Sequence, residues 1–185
     1  MLDRKWRNLA VQAVAGGLLA VSFGQACAAN AAPFGLEVGV ASCDAARAKL
    51  TGAEERSLGG QDVWLETTEA EDLYPGATKV GARCSGDRVI AVQVEATKGG
   101  MGNGGAQQAY STLASKYKRV AGAPMPSLGD GYARFVAGNS VIEQSSPHLS
   151  FEFTVTYYEK SFYDAIKASN ANEQKNKNRK KESAL

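Results

Sequence analysis

The stretch LSFEFTVTYY, residues 149–158, decides the reading of the fold. Phe151, Phe153, Val155 and Tyr157 alternate with Glu152, Thr154 and Thr156. Alternation with period two puts one set of side chains on each face of a strand, so this segment reads as a strand with one face buried. Working back, residues 140–145 and 131–137 read as two more strands around the two-residue turn Gly138-Asn139. Further upstream, Ser85-Gly86-Asp87 joins residues 77–84 to residues 88–97 as a hairpin. In the second arm Ile90, Val92, Val94 and Ala96 share one face, and Gln93 and Glu95 the other. Residues 62–68 (DVWLETT) add a β-rich run.

Helices separate these strands. Ser42 is a good N-cap, Asp44 complements the dipole in the first turn, and Thr51-Gly52 stops a short helix over residues 45–50. Residues 106–121 read as a second helix, with Ala109, Leu113, Tyr117 and Val120 as its apolar stripe. Phe162, Ala165 and Ile166 open a third. The expected order is helix, three strands, helix, three strands, helix. Hairpins separated by helices imply an α+β fold of two layers, an antiparallel sheet with helices on one face and an αβββ pseudo-repeat in element order.

The N-terminus bears on the compartment. Arg4, Lys5 and Arg7 precede an apolar run from Leu9 to Phe23, and Gln25-Ala26-Cys27-Ala28 follows. That is the n-region, h-region and small-residue site of a secretory signal peptide cut after Ala28. The run of 15 residues is shorter than the roughly 20 that a membrane-spanning helix needs. Gly24 stands where a lipoprotein motif ending at Cys27 usually carries Leu. The expectation is a periplasmic or secreted protein with a single domain over residues 29–170 and a basic, disordered tail over 171–185. Without residues 1–28 the basic and acidic residues balance, although the +2 of the whole sequence hides it. The tail, with Lys175, Lys177, Arg179, Lys180 and Lys181, offsets an acidic body. It has no aromatics for base stacking, so no nucleic-acid partner is expected, and the short apolar run and the weak lipoprotein motif make membrane association unexpected too. Cys43 and Cys84 remain as an even pair in an oxidising compartment, which reads as a disulfide.

Motifs with chemical potential are few. Gly100-Met101-Gly102-Asn103-Gly104-Gly105 matches the dinucleotide-binding pattern between a strand and a helix. The preceding strand belongs to a hairpin and no parallel strand with an acidic end follows, so the loop reads as flexible, and no cofactor is expected. His148 is the only histidine and is flanked by Ser145, Ser146 and Ser150. Triad members converge from separate segments, so this cluster is not one. A zinc site would need His148 together with Cys43, Cys84 or carboxylates, and no metal is expected. Glu66, Glu69, Glu71 and Asp72, with Asp62, form an acidic segment without the pattern of a calcium loop. Trp64 shares a face with Glu66, opposite Val63 and Leu65. It is either an interface contact or a residue covered by a helix.

Residues 33–42, PFGLEVGVAS, running straight into a helix, resemble the start of small exported bacterial domains. Ala109-Tyr110-Ser-Thr-Leu113 after a strand and the terminal Val155-Thr-Tyr157-Tyr158 are similar to the same group. The layout resembles β-lactamase-inhibitor-like domains and outer-membrane assembly lipoproteins. The resemblance implies a two-layer α+β fold and carries no ligand with it. The expected function is a non-enzymatic module that binds another envelope or secreted protein, of the inhibitor, immunity or envelope-accessory kind. Trp64, Glu66, Gly100, Met101, Gly102 and Asn103 are its candidate contacts. The competing reading is a periplasmic domain for a small molecule or ion, built on the glycine loop and the acidic segment.

Overall fold

A computed structural model describes residues 29–182. The expected signal peptide, residues 1–28, lies outside the described residues, as do the last three of the expected tail. After a 3₁₀ turn at Pro33–Gly35 come α1 (Cys43–Lys49), β1 (Glu54–Gly59), β2 (Asp62–Thr67), β3 (Ala77–Ser85), β4 (Arg88–Thr97), α2 (Gly104–Lys116), β5 (Lys118–Gly122), β6 (Gly131–Ala137), β7 (Ser140–Ser146), β8 (Glu152–Glu159) and α3 (Lys160–Glu182). All eight strands form one antiparallel sheet in the order β1-β2-β3-β4-β8-β7-β6-β5. Two four-strand meanders thus meet along β4 and β8, and α2 carries the chain from the centre of the sheet to its far edge. The fold is α+β with an antiparallel sheet.

The first two helices are each followed by four strands where three were expected. The two extra strands, β1 and β5, are the two edges of the sheet, and every residue of β1 is exposed. They carry Glu54, Glu55 and Arg56 on one side and Lys118 and Arg119 on the other, the charges with which sheet edges are kept from pairing further. The second helix ends at Lys116 because the chain turns into β5, and Val120, expected on the helix stripe, is exposed in that strand.

The core lies between one face of the sheet and helices α1 and α2. Ala46 of α1 and Leu50 at its C-cap, with Ala106, Ala109 and Leu113 of α2, pack on Leu65, Val80, Val92, Val94, Phe135, Ile142, Phe153 and Val155. A bulge in the β3–β4 ladder near Cys84 brings Val89 into register with the core, so Ile90 leaves the row expected for it. The disulfide Cys43–Cys84 ties the start of α1 to the end of β3 across a Cα–Cα distance of 5.8 Å. By the chain-entropy relation a crosslink over this separation of 41 residues contributes about 4 kcal/mol.

The third helix departs from the expected single layer. It packs on the opposite face, where the Tyr163 hydroxyl accepts from Arg134 Nη1 and donates to Glu143 Oε1, both at 2.8 Å. Only its first two turns meet the sheet. Phe162, Tyr163 and Ile166 are partly or fully buried, and residues 167–179 are exposed. The segment expected as a disordered tail continues as helix to Glu182; Lys160–Glu182 contains neither Gly nor Pro, and Lys160 and Asp164 pair one turn apart at 2.6 Å.

Candidate functional site

Antiparallel register aligns a band of side chains across the face that α1 and α2 leave open. Trp64 stands opposite Arg83, Arg83 opposite Ala91, and Ala91 opposite Tyr158. The next row runs Glu66, Gly81, Gln93, Thr156, Glu143 and Arg134. Gly81 lets the Trp64 indole lie flat, because a Cβ there would overlap the ring. The Trp64 Nε1–H donates to Glu66 Oε2 at 2.9 Å, which fixes the ring's rotation. Lys79 bridges Glu66 and Glu95 at 3.6 and 3.8 Å, and Gln93 donates to Glu95 at 2.9 Å. Trp64 and Glu66 are thus on one face of β2, as their spacing implies.

A groove of about 350 Å³ separates Trp64 from Phe162 and Ile166 of α3. Arg83 also lines it. Its guanidinium lies 4.7 Å from the centre of the Phe162 ring, and its Nη2 donates to Asp62 at 2.7 Å. Its buried Nε has no acceptor among the described residues. Hydrogen bonds from Ser85 and Arg83 hold the Asp62 carboxyl below its usual range, so the pair stays ionised at neutral pH. Trp64 is only half-buried, and α3 flanks it without sealing it.

Beside the groove, Glu143 anchors α3. Burial raises its carboxyl, but hydrogen bonds from Tyr132 and Tyr163 and the charge of Lys167 outweigh that and leave it below the usual range. The Tyr132 phenol is pushed well above its ordinary value, by burial first and then by its bond to Glu143. On this face the charges are paired, Trp64, Tyr132 and Tyr163 are held by hydrogen bonds, and Phe162 packs against Arg83.

The glycine loop lies elsewhere. It follows Thr97, six residues along β4 from the row of Trp64, a separation of about 20 Å at the rise of a strand. Met101 is 84% exposed and neighbours Leu128 (62%), Leu149 (94%) and Phe151 (69%), with Gly100 and His148 between them. Phe151, expected inside the buried face of the last strand, just precedes β8; its carbonyl still accepts from the Lys98 N–H at 2.9 Å, but its side chain is exposed. Gly102 packs under the carbonyl of Ser127.

Asn103 is not a surface contact. It is 2% exposed; its amide donates to the carbonyls of Pro126 and Gly129 at 3.0 and 2.9 Å, and its Oδ1 accepts from Ser146 at 2.8 Å. A buried polar side chain with every such bond made is a fastener. The glycines also have a packing reason. A Cβ on Gly105 would strike the Thr97 carbonyl, so the start of α2 can press against β4 only with glycine there.

Other chemistry-bearing residues disperse. The acidic segment breaks up: Asp62 pairs with Arg83, Glu66 with Trp64 and Lys79, and Glu71 accepts from the Gly76 amide at 2.9 Å. Among the described residues no three His, Cys, Asp or Glu side chains come together as a metal site. His148 sits on an exposed loop whose backbone N–H donates to Asp130 at 2.7 Å. Sequence reasoning missed what gathers beside Trp64: Arg83 and Tyr158, brought to its row by strand register, and Phe162 of α3. Among the described helices none is long and apolar enough to cross a membrane. No family model matches the chain, and no curated protein or solved structure matches it.

Proposed function

We propose that this protein is an exported, non-enzymatic binding module that docks another envelope or secreted protein on the open face of its sheet. The observation that carries this reading is Trp64, laid over Gly81, pinned by Glu66 and left half-exposed beside Arg83 and the aromatic side of α3. Trp, Tyr and Arg supply most of the energy of protein interfaces, and rings already held in place lose little entropy on binding. The paired charges around them set register and partner choice more than affinity. The disulfide and the leader-like sequence of residues 1–28 support export. An inhibitor, an immunity-type protein or an envelope accessory factor is the kind of module this reading points to.

The test uses residues 29–185 as bait against envelope and secreted fractions, beside Trp64→Ala. One stoichiometric partner is expected on the unaltered bait. Trp64→Ala should weaken it by about 2 kcal/mol or more, roughly thirtyfold, while the unfolding midpoint moves little. A partner held equally by both baits would move the interface off this face, and retention of no protein by either would overturn the reading.

A further inference from the structure

On the other side of the sheet, under α2, the packing leaves a cavity of about 270 Å³. Val94 and Val155 of the central strands and Leu113 of α2 give it an apolar lining. Three tyrosines enter it from unconnected segments: Tyr74 from the loop before β3, Tyr117 from the end of α2 and Tyr157 from β8. Among the described residues no protein group shares a hydrogen bond with any of the three hydroxyls, and none of them is among the fully enclosed polar atoms.

The three rings are half-buried, and their hydroxyls converge on one space without a protein bond, so their donors face water or a bound molecule. Burial pushes all three above the ordinary phenol value, and Tyr157 is raised further by its two neighbours, so they stay neutral donors across the physiological range. Phe34 borders the same cavity and holds a positive φ of 56°, strained for a residue with a Cβ. Such strain collects where a ligand is clamped. At the mouth stand the exposed Thr112 and Lys116.

Size narrows the occupant. An apolar cavity of about 150 Å³ accepts benzene, and pockets for drug-sized ligands begin near 300 Å³. We propose that this cavity binds a small aromatic molecule of one or two rings with an oxygen substituent, its ring against Val94, Leu113 and Val155 and its oxygen among the hydroxyls of Tyr74, Tyr117 and Tyr157. The site lies on the face opposite Trp64 and does not depend on the partner-binding reading.

The test titrates residues 29–185 with p-cresol, benzoate and toluene, followed by NMR shifts of the Leu113 and Val155 methyls. Saturable binding of p-cresol or benzoate is expected in the micromolar to low millimolar range, tighter than toluene. Tyr157→Phe and Tyr117→Phe remove hydroxyls that make no protein bond, so the unfolding midpoint should hold or rise. Each should weaken the oxygenated probe about 3- to 10-fold and leave toluene unchanged. Ala109→Phe fills the space and should abolish all three; should that variant not fold, the two tyrosine variants still decide. No saturable binding up to about 10 mM, or the same preference for oxygen in both tyrosine variants, overturns the proposal.

Discussion

Along β8, Phe153, Val155 and Tyr157 turn toward α2 and the core, while Thr154, Thr156 and Tyr158 turn toward α3 and solvent. One strand thus samples two surfaces of different character. The covered face is continuous and apolar, from Leu65 through Val92 and Val155 to Ile142 and Phe135. On the open face charged pairs alternate with aromatic rings, and α3 covers only part of it. The covered face gains its stability from area removed from water. On the open face most ion pairs are exposed or half-exposed, and such pairs contribute little to folding. That face carries Trp64, Arg83, Tyr132 and Tyr158, whose contribution to folding is small beside that of the covered face, and this is the ground for the binding role proposed for it.

The largest expected effect breaks the comparison if it fails. Phe135 is fully buried and touches Tyr110 of α2, with ring centres 5.7 Å apart. Phe135→Ala should cost about 3–5 kcal/mol in urea unfolding, through lost transfer energy and the cavity left behind. Tyr132→Ala, three residues away on the open face, loses an exposed ring and its bond to Glu143 and should cost about 1 kcal/mol. Equal costs would mean that the open face is as much a core as the covered one.

A smaller effect tests how α3 is held. Tyr163→Phe removes a hydroxyl that bonds both Arg134 and Glu143, and should cost about 1–2 kcal/mol, confined to the first turns of α3. Acid should act on the same contact. The folded Glu143 carboxyl sits below its ordinary value, so its contribution is complete above about pH 4.3, the unfolded value, and is lost as pH falls through the folded one. Amide exchange in residues 160–167 should therefore quicken in acid before exchange in α2 does. If both helices loosen together, the Glu143 anchor is not what docks α3.

The same contrast explains what could be read from the sequence. Strands with one buried face declared themselves: the alternation in β4 and β8 and the turns at Gly86 and Gly138 set the antiparallel sheet, and Cys43 and Cys84 set the crosslink. β1 and β5 gave no such signal because an edge strand held by backbone pairing needs no hydrophobic period, and Lys118 to Ala121 looked like a continuation of α2. α3 was misplaced because its short apolar set, Phe162, Tyr163 and Ile166, does not say which face it covers; that is decided by Arg134 and Glu143 from strands far away in sequence. Trp64 and Glu66 could be paired by local spacing alone, whereas Arg83, Tyr158 and the cavity of three tyrosines depend on register between distant segments. Asn103 was read as exposed since a glycine-rich loop usually is, yet two carbonyls of the β5–β6 loop claim its amide.

The smallest expected effect concerns the rest of α3. Residues 168–179 are exposed on every side of the helix, and a helix polar all round draws no stability from packing. An isolated helix of that length is marginal in water, and Lys175 and Arg179 repel one turn apart. A chain ending at Ser169 should thus unfold within about 0.5 kcal/mol of the full chain, while its helical circular dichroism falls by the share of the missing turns. It should also keep any partner held through Trp64, because the groove ends at Ile166. A loss of more than about 1 kcal/mol would show that the distal helix folds back onto the open face. A partner lost with the tail but kept by Trp64→Ala would transfer the binding energy from the aromatic groove to the five basic residues that follow Asn172.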